Sequence, residues 1–453
     1  MSDGAAAVSG GAAVRGDERG PAVSGAAAVS GGAAVSGGAA VTGGAAVSGG
    51  LEEAQRVELT VAAVAPGGHC VARVDGQVVF VRHALPGERV LAEVTEVHRG
   101  FVRADAVSVL EAAPDRVTPP CPYARPGRCG GCDLQHVAPP AQLDWKAKVV
   151  REQLVRLGGL DETECDALGV RVEPLPGGPL GWRSRVRYAV DAAGRAGLLK
   201  HRSHEVVPVD RCLIAHPAIQ DLPVLTSAGV TWPDAEAVEA VASTGGDVAV
   251  TAVAAGRTEV VSGPDQVRER AAGRDWSLPA SSFWQVHPAA ADTLVAAVLE
   301  LTDPQPGEIA WDLYGGAGLF AAALAGRVGA GGRITLVEAA ADGVAAAREN
   351  LRDLPVVEVV AARVETALTR RRITGPVDVV VLDPPRSGAG ARVVRDVVAA
   401  GPRAVAYVAC DPAAFARDVR VFTGLGWRLA ELRGYDLFPM TQHVELVGLL
   451  LPG

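Results

Sequence analysis

Residues 379–386 read VVVLDPPR, and residues 404–412 read AVAYVACDP. Each stretch is a continuous apolar run that ends abruptly in polar, chemically active residues. Runs of this kind predict strands that are buried on both faces of a parallel sheet. Since ligands of open α/β sheets bind at the carboxyl ends of the strands, we expect Asp383 and Cys410 to lie side by side at a binding edge.

Cys410 is followed by a predicted helix start, with Asp411 as the N-cap and Pro412 in the first helical position. A thiol at a helix N-terminus experiences the positive end of the helix dipole, which lowers its pKa. We therefore expect a reactive thiolate at Cys410. The alternative is an inert cysteine buried at a strand end.

Composition limits the classes of protein that the chain can belong to. Its 453 residues suffice for two or three domains. It contains no apolar run as long as a membrane span and no secretory signal pattern, so we predict a cytoplasmic protein with no membrane partner. The net charge of −9 counts mildly against nucleic-acid binding, but a local basic groove matters more than the total.

The N-terminal third of the chain changes character at residue 51. Residues 1–50 repeat AAVSGG with a six-residue period and are predicted to be a disordered tail. Residues 51–112 contain short alternating strands separated by Gly and Pro turns, which predicts a small β-barrel. The stretch DGQVVFVRHALPGE at 75–88 resembles the TRAM domain, an OB-like barrel found on RNA-modifying enzymes.

Three of the seven cysteines fall within twelve residues, at Cys121, Cys129 and Cys132, and the last two bracket a Gly-Gly pair. The glycines let the backbone wrap so that both thiolates reach one centre, and a site with four cysteine ligands needs one more thiolate. We predict Cys212 for that ligand, rather than Cys165 in its acidic loop. The spacing alone does not separate zinc from an iron–sulfur cluster.

Residues 113–275 are predicted to form a mixed α+β central domain that carries the best local basic patch. The stretch WRSRVRY at 182–188 places three arginines on one face of a predicted strand, and KHR follows at 200–202. We predict an RNA track here. The alternative is an ordinary solvated strand face.

Strands and helices alternate in residues 276–453. The stretch IAWDLYGGAGLF at 309–320 predicts a strand, a glycine-rich turn and a helix, and such a turn lets a ligand approach the backbone at a helix N-terminus. The next predicted strand ends in Glu338, an acid placed to accept ribose hydroxyls. The spacing fits either a dinucleotide or S-adenosylmethionine.

Taken together and in this order, the motifs resemble the bacterial RNA uracil-5-methyltransferase family, in the TRAM-containing, iron–sulfur form that methylates uridines of 23S rRNA. The resemblance runs from about residue 55 to the C-terminus. The matching motifs are Cys-x7-Cys-Gly-Gly-Cys, SFWQV at 282–286, DLY at 312–314, DPPRSG at 383–388, YVACDP at 407–412 and FPMTQHVE at 438–445. The resemblance implies a Rossmann-like class I methyltransferase domain behind the barrel and the central domain.

The resemblance also implies roles for the matching positions. S-adenosylmethionine would be bound by Gln285, Tyr314, Glu338 and Asp383. A 4Fe–4S cluster would be held by Cys121, Cys129, Cys132 and Cys212. Cys410 would be the nucleophile, and Glu445 the base. The expected partner is RNA, with rRNA favoured over tRNA, and the protein is expected to be a monomer.

The chemistry is coherent with these two residues. A thiolate that adds at C6 of uracil makes C5 enolate-like, so that C5 takes a methyl group, and a base must then remove the C5 proton before the thiol is eliminated. Glu445 lies in the apolar stretch 444–450, so burial should raise its pKa; the alternative is an edge carboxylate paired with an arginine. The target base must leave any stack to reach the thiol.

Two positions depart from the family. Gly315 stands where the family usually has Cys, and Leu319 where many members have Asn, so that a polar contact to the cofactor would be lost. An exocyclic-amine methyltransferase is a rival interpretation, but Arg386 replaces the aromatic residue expected after Asp-Pro-Pro, and such enzymes need no Cys410. A second rival is a non-catalytic RNA-binding protein with a diverged cofactor pocket.

Overall fold

The computed structural model describes residues 50–225 and 229–453. The predicted tail at 1–50 therefore lies outside the described residues, except for Gly50, and its disorder stays a prediction.

The first five strands form a closed barrel in the order β1-β2-β3-β5-β4, with β3 and β5 paired in parallel. They are β1 (Arg56–Ala65), β2 (His69–Val74), β3 (Gln77–Arg82), β4 (Arg89–Val97) and β5 (Phe101–Glu111). Val79, Val90 and Val102 point into the barrel and are fully buried, as the alternating pattern requires. The predicted small barrel is confirmed.

A second group of elements follows the barrel. Its members are α1 (Pro139–Gln153), α2 (Glu162–Leu168), β6 (Val172–Pro174), β7 (Arg185–Val190), β8 (Ala196–Leu199), β9 (Val206–Pro208), α3 (Pro217–Gln220), β10 (Ala237–Ala242), β11 (Val248–Ala254), β12 (Arg257–Ser262), β13 (Gln266–Ala271) and β14 (Arg274–Pro279). Six of the strands form an antiparallel sheet in the order β12-β11-β10-β7-β8-β9, and β13 and β14 form a separate hairpin.

The C-terminal part alternates helices and strands. Its elements are α4 (Ala290–Thr302), β15 (Ile309–Leu313), α5 (Leu319–Val328), β16 (Arg333–Glu338), α6 (Ala341–Asn350), β17 (Val357–Ala361), α7 (Val364–Thr369), β18 (Val379–Leu382), α8 (Gly390–Ala399), β19 (Ala404–Ala409), α9 (Pro412–Gly424), β20 (Trp427–Asp436) and β21 (Glu445–Pro452). They build an eight-stranded sheet in the order β17-β16-β15-β18-β19-β21-β20-β6. Neighbouring strands from β17 to β19 are parallel, whereas β21 runs antiparallel to both β19 and β20.

The two apolar runs that decide the fold occupy the middle of this sheet. Every residue of β18 and of β19 is buried. Helices cover both faces of a doubly wound sheet, which is why these strands tolerate no polar residue until they end. The predicted α/β methyltransferase-like fold with an N-terminal barrel is confirmed.

The outer strand of the large sheet comes from an earlier part of the chain. β6 pairs in parallel with β20, and Val150 of α1 and Leu154 just after it share a core with Phe415 of α9. Residues 139–174 are thus packed onto the C-terminal sheet. The division of the chain at residues 275 and 276 stays a prediction. Within 50–225 and 229–453, no helix is long and apolar enough to cross a membrane.

Candidate active site

Strand register brings three candidate residues to one edge of the large sheet. Leu382 lies opposite Tyr407 in the parallel β18–β19 pair, and Ala409 lies opposite Leu446 in the antiparallel β19–β21 pair. The next residues along these strands are Asp383, Cys410 and Glu445. Because β21 runs antiparallel, its first residue meets the last residues of β18 and β19, and the three side chains are close enough for their charges to influence one another.

Glu445 is a buried carboxyl group, 4% exposed. Burial raises its pKa well above the usual value, the neighbouring Asp383 raises it further, and Arg386 opposes both effects. The predicted raised pKa of Glu445 is confirmed.

Cys410 differs from the expectation. Asp411 does cap α9, since its Oδ1 accepts a hydrogen bond of 2.7 Å from the amide of Ala414. However, burial raises the pKa of Cys410 to about 11, with Glu445 adding to the shift and Arg386 opposing it. The predicted thiolate is therefore wrong for this state of the protein: desolvation and a neighbouring acid outweigh the helix N-terminus and a single arginine.

Two acids of the sheet, Asp383 at this edge and Asp312 within β15, also have raised pKa values. Burial raises the pKa of Asp383 to about 7, and it raises the pKa of Asp312, a fully buried residue of β15, to the same value. The Oδ2 atom of Asp312 accepts a 2.8 Å hydrogen bond from the amide of Ala321, whereas its Oδ1 atom has no hydrogen-bond partner in the described part of the chain. Asp312 is a group that the sequence analysis did not single out, although its position in the DLY motif was a signal.

A glycine-rich turn and an acidic strand end lie beside these acids. Tyr314 has a left-handed backbone (φ 67°), and its buried hydroxyl has no hydrogen-bond partner among the described residues. Glu338 ends β16 and accepts hydrogen bonds from the amides of Gly316, Ala339 and Ala340 at 2.6–2.9 Å. A carboxylate has about four acceptor sites, so roughly one remains for a ligand.

The two departures from the family have structural reasons. A Cβ atom on Gly315 would lie 2.5 Å from Cγ of Leu336, so a cysteine here would require that side chain to move. Leu319 is 8% exposed and packs in the main core at the start of α5. The turn is thus built on apolar packing at both positions.

Gln285 lies on the loop between β14 and α4, and is partly exposed. Arg185 holds this loop by donating hydrogen bonds to the carbonyls of Ala280 and Ser282 at 2.9–3.0 Å. Phe283 is 77% exposed on the same loop, the largest exposure among the large apolar side chains of the described residues. Phe283 is a residue for which no role was predicted, although its place in the SFWQV motif was a signal.

The predicted arginine track at 182–188 is wrong in part. Arg185 forms a buried ion pair with Glu269 at 2.8 Å, and Arg187 is paired with Glu239. Arg185 therefore supports the structure and is not part of a free basic face, whereas the Arg187 side chain is 54% exposed. The Arg183 side chain folds against its own strand, since its Nε donates a hydrogen bond to the carbonyl of Arg185.

A basic cleft lies at the predicted basic segment 200–202, which lines part of it. It has a volume of about 430 Å³ and is lined by strands β4 and β5 of the barrel, by residues 125–128 and by residues 200–202. Its basic residues are Arg82, Arg103, Arg125, Arg128, Lys200 and Arg202. Four acids also line it, and Glu96 pairs with both Arg103 and Arg202.

The four candidate ligand cysteines come together. Cys121, Cys129, Cys132 and Cys212 line one small cavity of about 30 Å³. Burial raises the pKa of Cys129 to about 11, and the thiols of Cys212 and Cys121 add to the shift, so these sulfurs lie near one another. Within residues 50–225 and 229–453, no group of three His, Cys, Asp or Glu residues has the geometry of a site for a metal ion.

The wall of this cavity explains one glycine of the motif. Gly130 lies against the backbone of His201, where a Cβ atom would approach the amide nitrogen to 2.4 Å. An isolated antiparallel β-bridge between Cys129 and Lys200 draws the cysteine segment and residues 200–202 together at this point. Cys165 lies elsewhere, on the buried face of α2.

Comparisons with known proteins agree with this architecture. Residues 51–107 match the family described as TRAM domain, and residues 234–452 match the family described as tRNA (Uracil-5-)-methyltransferase. A protein of Streptomyces avermitilis described as an uncharacterized RNA methyltransferase is 47% identical over 430 residues, covering 88% of this chain and 98% of the relative. A similarly described protein of Streptomyces coelicolor is 46% identical, covering 88% and 93%.

Among solved structures, the fold matches that of the Pyrococcus abyssi tRNA (uracil-54, C5)-methyltransferase in complex with S-adenosyl-L-homocysteine, with a TM-score of 0.65. The sequences are 23% identical, and the match covers 87% of this chain and all of the other. At this identity the likeness concerns the fold. The family matches and the Streptomyces relatives lead to one conclusion: the chain belongs to the RNA (uracil-5-)-methyltransferase family.

Proposed function

We propose that the protein forms 5-methyluridine in RNA through a covalent bond between Sγ of Cys410 and C6 of the target uracil. The observation that carries the proposal is the β19–β21 register, which sets Cys410 against Glu445. A nucleophile and a base are needed on the same ring, one at C6 and one at C5, and adjacent strand ends supply such a pair.

The proton movements follow from the environment of the two residues. The Cys410 thiol releases its proton to solvent as its sulfur adds to C6, and Arg386 is the nearby cation that favours the thiolate. S-adenosylmethionine supplies the methyl group that C5 receives. Glu445 then takes the proton from C5, the C5–C6 double bond re-forms, the C6–S bond breaks, and Cys410 leaves as a thiolate. The raised pKa of Glu445 makes its carboxylate a stronger base for this last step.

The cofactor-binding roles of Gln285, Tyr314, Glu338 and Asp383 are part of the proposal. The turn after β15 and the end of β16 present a buried tyrosine hydroxyl without a partner among the described residues and a carboxylate with acceptor capacity to spare. Asp383 lies between this turn and Cys410, since its amide bonds to the carbonyl of Leu313 at 3.2 Å. A donor held there would lie next to the nucleophile.

We also propose a 4Fe–4S cluster on Cys121, Cys129, Cys132 and Cys212, with zinc as the alternative. Support comes from four thiols that line one cavity although Cys212 lies 80 residues beyond Cys132. Thiolates are the usual ligands of such clusters. When bound, the group would cross-link the two segments that carry its ligands.

For the substrate, we propose 23S rRNA. The TRAM barrel and the cleft beside it offer an RNA surface, and Phe283 offers an aromatic ring on which an unstacked base can rest. The descriptions of the matched family and of the Pyrococcus relative favour tRNA as a second candidate.

The test is methyl transfer from labelled S-adenosylmethionine to unmodified ribosomal and transfer RNA, by wild type, Cys410→Ala, Glu445→Gln and Cys165→Ala. We expect label in 5-methyluridine with wild type and with the control Cys165→Ala, none with Cys410→Ala, and a persistent protein–RNA adduct with Glu445→Gln. Label confined to transfer RNA would change the substrate and keep the mechanism. Activity that survives in Cys410→Ala would overturn it.

A further inference from the structure

The segment that carries Glu445 into the site is a loop with a strained residue in its middle. Residues 437–444 connect β20 with β21, and Glu445 follows directly. Met440 has φ 68°, a left-handed conformation that costs free energy for a residue with a side chain. Such a backbone persists only where neighbouring groups hold it, so the partners of this loop determine where Glu445 lies.

The first partner is Lys146 of α1, a lysine that is only 1% exposed. Its Nζ atom donates to Oδ1 of Asp436 at 2.5 Å and to the carbonyl of Phe438 at 3.1 Å. These contacts fix the beginning of the loop. A fully buried ammonium group is costly unless it is paired, and the active-site chemistry does not use this one.

The second partner is Gln142, one turn earlier on α1 and also 1% exposed. Its Oε1 atom accepts a 3.0 Å hydrogen bond from the amide of Met440, the strained residue. Its Nε2 atom donates to the carbonyls of Leu134 and Val137. One amide group thus joins the loop to the chain that follows the cysteine motif.

The third partner is Asp133, the residue directly after Cys132. The amides of Asp133 and Leu134 both donate to the carbonyl of Met440, at 3.0 and 2.9 Å. The Asp133 carboxylate accepts from the amide of Gln442 at 3.2 Å and from Arg82 of the barrel at 3.2 Å. The loop is therefore tied to the cysteine segment and, through Arg82, to the barrel.

We propose that Gln142, Lys146 and Asp133 form a loop clamp whose role is to hold Glu445 at the distance from Cys410 that proton removal from C5 requires. These are positioning residues, because they reach the reaction only through the backbone of residues 436–442. The inference rests on the proposed function, in which Glu445 is the base. It assigns the clamp to the second half of the reaction, after methyl transfer and before release of the RNA.

The step that the clamp serves can be measured separately from the earlier ones. RNA transcribed with 5-tritiated uridine releases tritium only when the base removes the C5 hydrogen, whereas ¹⁴C-methyl incorporation reports the step before it. The RNA is the ribosomal or transfer RNA that wild type methylates. In a single turnover of wild type, we expect tritium release to follow methyl incorporation closely.

Two variants disturb the clamp in different ways. Gln142→Leu removes the acceptor for the Met440 amide, and the double variant Lys146→Met/Asp436→Leu replaces the ion pair by apolar groups without leaving a buried charge unpaired. We expect methyl incorporation at a rate near that of wild type, tritium release slowed roughly 10- to 100-fold, and a covalent protein–RNA adduct that persists for the same time.

The control is Glu88→Gln, which breaks the ion pair between the buried Glu88, in the turn before β4, and Arg116 beyond β5. It should lower the melting temperature and the active fraction, but methyl incorporation and tritium release should fall together. RNA containing 5-fluorouridine counts competent active sites in every variant, because fluorine at C5 blocks elimination after the adduct has formed.

The outcomes separate the two proposals. A lag of tritium behind methyl in the clamp variants, absent in Glu88→Gln, supports the clamp. Equal losses of both signals would overturn it, and so would a failure of both clamp variants to fold, since the network would then be purely structural. If wild type itself forms no adduct, the covalent function fails, and the clamp fails with it for that separate reason.

Discussion

Cys410 and the four cysteines of the cavity are positioned by different kinds of structure. Cys410 follows a fully buried strand, and ladder register alone sets it against Glu445. The cavity is instead lined by loop residues of 121–132 and by Cys212, and Gly130 of the first segment packs against His201. In a β-sheet, the repeating hydrogen bonds position each residue according to its place in the strand. The position of a loop residue depends instead on its contacts with other parts of the chain.

The protonation of the thiols sharpens this contrast. Burial raises the pKa of both Cys410 and Cys129 to about 11. At Cys410 the other contributions come from acids and one arginine, so ionisation depends on what binds beside it. At Cys129 the amide of Gly131 lowers the pKa and the thiols of Cys212 and Cys121 raise it. A set of converging thiols becomes stable as thiolates when a metal binds.

The largest expected effect concerns the cavity. Cys212→Ser should abolish bound iron and acid-labile sulfide, because three thiolates on one loop cannot complete a four-cysteine site. Metal and sulfide analysis of protein purified without oxygen provides the measurement. Cys165→Ser, which changes a buried cysteine outside the cavity, should leave both contents intact. Full iron occupancy in Cys212→Ser would contradict the assignment of Cys212 as the fourth ligand. Zinc without sulfide in the wild-type protein would support zinc as the bound metal.

The next effect concerns Asp383. Since the folded-state pKa of Asp383 is raised to about 7, the folded protein holds a proton that the unfolded chain loses near pH 4, and stability falls as pH rises between these values. Asp383→Asn should therefore stabilise the protein at pH 8 by about 2 kcal/mol, after allowance for partial exposure, and by less at pH 5. Urea unfolding at both pH values measures this.

The control for that experiment is Asp144→Asn, which changes an exposed acid on α1. It should alter stability little, and equally at both pH values. If Asp383→Asn were no more stabilising at pH 8 than at pH 5, the ionised Asp383 carboxylate would not destabilise the folded protein.

The smallest expected effect concerns the thiol itself. Arg386 lowers the pKa of Cys410, so Arg386→Leu should raise it and slow alkylation of Cys410 by iodoacetamide at pH 8 roughly tenfold, the equivalent of about one pKa unit. Mass spectrometry of the Cys410 peptide measures the rate. Arg392→Leu, which changes an exposed arginine on α8, should leave it unchanged. Equal rates in both variants would remove Arg386 from the account of thiol activation.

Prediction from the sequence succeeded where a short-range pattern had one structural solution. The apolar runs of β18 and β19, the Asp411 cap and the alternating barrel strands all follow from local periodicity or capping chemistry. The raised pKa of Glu445 followed in the same way, because an acid inside an apolar strand has few ways to avoid desolvation.

Prediction failed where the outcome depended on partners distant in the chain. Arg185 looked like part of a basic face, but Glu269, 84 residues later, neutralises it in the interior. Cys410 looked like a thiolate because the helix N-terminus was visible in the sequence, whereas the depth of its burial was not. The clamp had no sequence signal, since the partners of Lys146, Gln142 and Asp133 lie 290, 298 and 309 residues away, respectively.

The sequence by itself determined the strand edges, the order of the motifs and the residue types that meet at the candidate site, because β-ladders and helix caps convert short patterns into position. Only the tertiary structure decided which charges are paired, how deeply Cys410 and Asp383 are buried, and how the loop before Glu445 is held. Each of these properties depends on several residues that are distant in the sequence and become neighbours only on folding. The electrostatic energy of a charged group also depends strongly on how deeply the group is buried, which the residue type alone does not reveal.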